Sequence, residues 1–288
     1  MRATSAILGR RDKGGFTTAP GVILETLSCF CCEAILLNSQ RNFDLDTLNE
    51  NATTGGKIWM KVGQLMATVL ITGCDRGLGE EFALQYASKG DHVIATCLDP
   101  DQLAGRHTFG SNVDLVRLDV TDEAAVVRLA DTLEGTKIDV LVNNAGIPGP
   151  HPVLDETDMV LWRKMLEVNL IAPFVVSRAF AGHVASSDQK VIAFISSRMG
   201  SITLNNTGRS YAYRSSKAGL NMIMKSMAID LGPRQICVIG LHPGKVVGTD
   251  EAGLLAKASV ERMRGVIEEC GPHQTGTFYN YNGQILPW

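Results

Sequence analysis

The chain has 288 residues, 45% of them hydrophobic and 20% charged, enough for one core of ordinary domain size plus an extension. A net charge of −3, with no dense basic stripe, gives no reason to expect nucleic acid as a partner. Seven cysteines, an odd number without repeated CxxC spacing, fit a reducing compartment, and a cytoplasmic location is expected.

Residues 1–65 show neither a period of two nor one of about 3.6, and residues 38–57 read as polar loop. An irregular, poorly ordered N-terminal extension is expected: a targeting segment, a true appendage, or the product of a mis-extended translation start. Arg2, Arg10 and Arg11 faintly resemble a transit peptide, but Asp12, Gly14 and Gly15 follow at once. Residues 22–37 are apolar but contain Glu25 and Glu33 and fall short of the roughly 20 residues that cross a bilayer, so no membrane span is expected. Cys29, Cys31 and Cys32 lack a second ligand pair with zinc spacing, so no metal site is expected.

From Met66 the character changes. Six short apolar runs, TVLITG, HVIATCL, DLVRLDV, KIDVLVNNAG, KVIAFISS and QICVIGLHPG, alternate with helix-length segments. That alternation predicts a single α/β domain over residues 66–288, a doubly wound parallel sheet of the Rossmann type with helices on both faces. Ligands are expected at the carboxyl ends of the strands.

The first run leads into TGCDRGLG and then into an amphipathic helix in which Leu78, Phe82, Ala83 and Tyr86 share a face and Gly90 supplies the stop. Strand, glycine turn and helix N-terminus present bare N–H groups and partial positive charge to a pyrophosphate, and side chains at Gly73 or Gly77 would obstruct its approach. A plain glycine turn is the bland alternative. The second run ends in Cys97 and Leu98, with Asp99 a step too far to bind a ribose hydroxyl, and Arg76 offers a cation for a 2′-phosphate. An NADP preference is expected, with NAD as the second choice.

Later runs bring further polar residues to strand ends. Ser196 and Ser197 follow VIAFI and compete as donors to a developing oxyanion. In SYAYRSSKAGLN, Tyr213 lies four residues before Lys217, roughly 40° away around a helix, whereas Tyr211 lies roughly 240° away. Tyr213 therefore shares a face with Lys217, whose ammonium would favour the phenolate. Met222, Met224 and Met227 are read as core or subunit contacts, and His151 and His242 as structural.

Taken together, TGCDRGLG, LDV at Leu118–Val120, NNAG at Asn143–Gly146, Asn169, Ser197, YRSSK and HPG at His242–Gly244 resemble the short-chain dehydrogenase/reductases across residues 66–288. FISSRMGSI, YAYRSSKAGLN and GTFYNYNGQILPW resemble, within that family, small carbonyl reductases of the sniffer and C-factor type. The resemblance implies Tyr213 as proton donor in reduction and base in oxidation, Lys217 on the nicotinamide ribose, and Ser197 rather than Ser196 as the oxyanion donor. It implies that Asn169 holds a water-mediated proton route to the lysine; a buried asparagine bonding helix backbone is the alternative. It places Gly73, Gly77, Leu78 and Gly79 around the pyrophosphate, with Arg76 in the same cofactor loop, Asp119 and Val120 near the adenine, and Asn143, Ala145 and Gly146 against the cofactor. Asn143 could instead only tie strands together, and Asp119 could instead end its strand in a turn. Pro243 and Gly244 head the segment that closes over nicotinamide and substrate, with Thr249 a doubtful carboxamide ligand.

The expected function is an NADP-preferring reductase of a small ketone, aldehyde or quinone, assembled as a homodimer or homotetramer through the helices bearing the Asn and Tyr motifs. A dinucleotide-binding signalling or regulatory protein is the alternative, and an isomerase or dehydratase on the same scaffold a third.

Overall fold

The computed structural model describes residues 66–246 and 254–288. The sequence readings of Cys29, Cys31, Cys32, residues 22–37 and Thr249 fall outside that range.

Seven strands form one parallel sheet: β1 Thr68–Thr72, β2 His92–Cys97, β3 Val113–Arg117, β4 Val140–Asn143, β5 Val191–Ile195, β6 Cys237–His242 and β7 Thr277–Asn280, in the order β3-β2-β1-β4-β5-β6-β7. Strand pairing by crossover demands a helix between parallel neighbours. These are α1 Gly77–Ser88, α2 Pro100–Arg106, α3 Glu123–Thr132, α4 Met159–Leu166, α5 Ala172–Ala185, α6 Tyr211–Asp230 and α7 Ala256–Glu268. The continuous apolar runs have their cause here, because residues on both faces of a parallel strand are covered. One face of the sheet packs Phe82, Tyr86, Val260 and Met263 from α1 and α7. The other packs Val126, Phe180, Leu220 and Met224 from α3, α5 and α6. The expected doubly wound architecture is present, with its order reversing between β1 and β4, where the register pairs Val69 with Val140 and Leu70 with Leu141.

Two elements escaped the sequence reading. The strand β7 is a four-residue TFYN that pairs Phe278 with Gly240 of β6, too short to show periodicity. Leu161, Met165 and Val168 are spaced as one helical stripe but lie across a change of helix type: α4 widens at Glu167–Ile171 into a π-helical turn, with the Ala172 N–H bonded back to the Glu167 carbonyl. Pro173 supplies the reason, since it has no N–H for the Asn169 carbonyl four residues earlier and its ring crowds that oxygen.

Phe180 is fully buried between α5 and the sheet. Replacing it with alanine removes its transfer energy and leaves a cavity, so Phe180→Ala is expected to lower the unfolding free energy by about 3–5 kcal/mol. Urea titration checks this as a lower midpoint at unchanged slope.

Candidate active site

The carboxyl ends of β1 and β4 are stitched by hydroxyl and amide. The Thr72 hydroxyl oxygen accepts the N–H groups of Asn144 and Ala145 at 3.0 and 3.1 Å, and the Asn144 side-chain amide donates to the Thr72 and Gly73 carbonyls, both at 2.9 Å. Asn144 had no assigned role from sequence; a polar side chain after a strand carries no mark of what it will bond. Gly79 is buried against this stitch, where a β-carbon would collide with the Gly73 carbonyl and the Asn144 amide. At Gly73 a β-carbon would lie 2.7 Å from the Ala145 α-carbon. Gly77 has φ of +65° and open space where its side chain would be. The loop therefore leaves a bare cradle at the N-terminus of α1, and Arg76, its first flanking residue, makes no side-chain cap with the helix N–H groups. Leu78 packs sideways onto the core. These observations fit a dinucleotide's pyrophosphate.

At the adenosine end, Asp99 is occupied as the N-cap of α2, accepting the Gln102 N–H at 3.2 Å. The Asp75 carboxylate accepts the N–H groups of Leu98 and Asp99 at 2.8 and 3.1 Å. Arg106 bonds Glu80 and the Asp75 carbonyl, and Arg117 bonds the Leu98 carbonyl at 2.6 Å. Arg76 is exposed and has no ion-pair partner among the described residues. Asp119 accepts both the N–H and hydroxyl of Thr121, so it does form the turn, while staying exposed; Val120 turns its side chain into the core.

One residue is placed differently from the sequence reading. The Asn143 side chain is buried and donates to the Ser177 hydroxyl of α5 at 2.9 Å, so it neither ties strands nor presents its amide to the crevice. Its strand is covered on that face by α5, which takes the side chain; only its main chain is left for a ligand. Ala145 and Gly146 do line the crevice between β4 and α6: a β-carbon on Gly146 would sit 3.2 Å from the Asn169 Oδ1 and 3.7 Å from the Lys217 Nζ.

On α6, Tyr213 and Lys217 share a face as their spacing requires, with the Lys217 Nζ 5.9 Å from the centroid of the Tyr213 ring. Lys217 is 6% exposed, donates to the Ile195 carbonyl at 3.0 Å, and burial pushes its amine down to about 8. Burial raises the Tyr213 phenol above its ordinary value, and the Ser197 hydroxyl in reach of it draws it down. The expected lowering of the phenol by the lysine is therefore not what the protein alone produces. Desolvation is the larger influence on the phenol, and the Ser197 hydroxyl is the one that opposes it.

Ser197 caps the 3₁₀ turn Arg198–Gly200, accepting the Met199 N–H at 3.2 Å. Ser196 donates to the Asn221 Oδ1 at 2.6 Å inside the core, a structural role as expected. Gly200 lets the turn lie on α6: a β-carbon there would be 2.7 Å from the Lys217 carbonyl. Asn169, fully buried on the π turn, bonds Ile147 reciprocally, accepting its N–H at 2.8 Å and donating to its carbonyl at 3.0 Å, and also donates to Ser216. Its amide holds the loop after β4 rather than helix backbone.

The chain enters α6 through three consecutive left-handed residues, Gly208, Arg209 and Ser210, with φ of 63°, 59° and 53°. Arg214 clamps them through the Gly208 carbonyl and the Thr207 hydroxyl, and His151 shares a hydrogen bond with Ser210 at 2.7 Å. Tyr211 is the first helical residue and is 38% exposed. At the end of β6, burial and the charge of Arg198 push His242 down to about 4, which leaves its ring neutral at pH 7. The Pro243 carbonyl accepts the Ser259 hydroxyl at 2.7 Å, and Gly244 lies against the Tyr281 ring.

A sequence model of the short chain dehydrogenase family matches residues 67–258. The chain belongs to this family. Among relatives of this short-chain dehydrogenase is the C-signal of Myxococcus xanthus, 38% identical over 154 residues, which are 52% of this chain and 93% of that protein. Among solved structures, the carbonyl reductase Sniffer of D. melanogaster is 30% identical with a TM-score of 0.70, covering 78% of this chain and all (100%) of that one. An NADPH-bound carbonyl reductase from chicken fatty liver is 30% identical with a TM-score of 0.69, over 78% of this chain and 96% of that one. This short-chain dehydrogenase is an NAD(P)-dependent oxidoreductase.

The buried lysine gives a pH signature. Its proton is held to about 8 in the folded protein and to 10.5 ordinarily, so between these values the unfolded chain binds more protons. Stability contributed at this position therefore rises with pH across that window and is lost as pH falls back through 8. The stability difference between wild type and Lys217→Met is expected to move in the wild type's favour by up to about 3 kcal/mol from about pH 8 to about pH 10.5. Parallel denaturation curves at each pH check this, and a flat difference would contradict it.

Proposed function

We propose that the protein is an NADP-preferring carbonyl reductase acting on a small ketone, aldehyde or quinone. The observation that carries this reading is the grouping of Tyr213, Ser197 and buried Lys217 beside Gly146, at the carboxyl ends of β4 and β5. A bound nicotinamide dinucleotide supplies the hydride. Tyr213, kept protonated at neutral pH by burial, has a proton to give to a carbonyl oxygen as negative charge grows there, and an alkoxide is far more basic than a phenolate. Ser197, whose oxygen already accepts from Met199, keeps its own hydrogen for the same oxygen. Lys217, fixed by Ile195, stands where a ribose hydroxyl would meet it, and Asn169 keeps the Ile147 loop clear of that position.

NADP preference rests on Arg76 as the uncommitted cation, on exposed Leu98 in place of an acid, and on the NADPH bound by the chicken enzyme. Two further expectations have support of the same kind. Buried free thiols at Cys74, Cys97 and Cys237 suit the reducing cytoplasm, and Ile171, Phe174, Met222 and Ile229, exposed around α5 and α6, suit a homodimer or homotetramer. The identity with C-signal favours a signalling protein of the same fold as the second reading.

Tyr213→Phe is expected to reduce turnover of a quinone by at least about 10³-fold while NADPH affinity changes less than about twofold. Retained turnover would overturn the proton-donor role, and a wild type that binds NADPH but turns nothing over would favour the signalling reading. In fluorescence titrations NADPH is expected to bind more tightly than NADH, and Arg76→Ala to remove about 1–2 kcal/mol of that difference. Tighter NADH binding would reverse the cofactor preference.

A further inference from the structure

The turn that follows Ser197 is held at both ends. At its start, Ser197 accepts the Met199 N–H, and its carbonyl accepts the Gly200 N–H at 2.8 Å. At its far end, the main-chain oxygen of Trp288 accepts the Ser201 hydroxyl at 3.0 Å and the Thr203 N–H at 2.9 Å. Ser201 is buried, and its N–H returns to the Arg198 carbonyl at 3.1 Å while its oxygen accepts the Leu204 N–H at 3.2 Å. Ile202, between the two donors, is 80% exposed and gives the turn no apolar anchor.

The Trp288 oxygen is itself held by its ring. The indole stacks on Phe278, a fully buried residue of β7, with centroids 5.7 Å apart and planes 21° from parallel. Behind it the chain runs back along β7, with the Leu286 N–H on the Phe278 carbonyl at 2.8 Å and the Asn280 N–H on the Gln284 carbonyl at 2.7 Å. A continuous set of contacts thus runs from the sheet edge through Phe278, Trp288 and Ser201 to the turn headed by Ser197.

We propose that Trp288 is a positioning residue for Ser197. Its ring, seated on Phe278, fixes the oxygen that holds Ser201 and Thr203, and that hold sets where the Ser197 hydroxyl lies relative to Tyr213. Without it the turn keeps its Gly200 contact with α6 but loses its outer tether, and small displacements of a reacting group are costly. The kinetic consequence rests on the carbonyl-reductase reading; the structural consequence rests on the geometry alone.

The test uses the full chain with Trp288→Ala, Trp288→Phe and Ser201→Ala, phenanthrenequinone as probe substrate, and deuterium exchange of the peptide covering residues 197–204. In Trp288→Ala, kcat is expected to fall about 10- to 100-fold with the NADPH Kd within about twofold, and exchange at 197–204 to rise about tenfold while β1 and β5 are unchanged. Trp288→Phe, which can still stack, is expected to restore both. Ser201→Ala, which leaves the indole seated, is expected to give a weaker form of the same loss and serves if Trp288→Ala does not fold. Unchanged kcat and exchange would overturn the proposal, as would a fall in kcat matched by an equal fall in NADPH affinity. If wild type leaves the quinone unreduced, the carbonyl-reductase reading fails, and exchange alone decides: a rise in Trp288→Ala supports the tether, and no rise overturns it.

Discussion

A buried ammonium is the constraint on which the rest of this site depends. Taking Lys217 out of water is costly, and the cost is borne only because a carbonyl at the end of β5 accepts from it and an aromatic face lies beside it. The bond ties α6 to the end of β5, and the turn after Ser197 passes the Lys217 backbone so closely that a β-carbon at Gly200 would collide with it. The same desolvation acts in opposite senses on the two partners, lowering the amine and raising the phenol. The protein by itself therefore stores a protonated Tyr213 beside an amine that gives up its charge easily, a pairing suited to proton delivery.

The dinucleotide side is built by different means. There the work is done by missing side chains and by the Thr72 hydroxyl and Asn144 amide, which bond main-chain groups of the facing loop. The two halves meet at Gly146, which is small enough to leave room between Asn169 and Lys217. The glycine-loop stitch and the α6 side chains are thus held by different contacts that come together at the loop after β4.

The sheet was legible because parallel strands buried on both faces give unbroken apolar runs, and Tyr213 and Lys217 were legible because helical spacing is a local property. The short edge strand β7 has too few residues to show a pattern, and the π turn depends on one proline acting on a carbonyl four residues away. Asn143 and Asn144 show the limit most plainly. They are identical neighbours, and only the tertiary packing decides that one bonds Ser177 under α5 while the other closes the glycine loop. The rise of the Tyr213 phenol in the protein alone comes from depth, which sequence does not show as it shows charge.

The left-handed residues Gly208, Arg209 and Ser210 bear on how α6 is phased. A right-handed helix cannot propagate backward through backbone with positive φ, so the helix has a single permitted first residue. A one-residue slip of the sequence past that fixed start would turn every later side chain by about 100° about the axis. The stop at Ser210, held by His151 from the loop after β4 and by Arg214 from the helix itself, therefore acts as an index mark: it makes Tyr211 the first helical residue and leaves Tyr213 one full turn before Lys217.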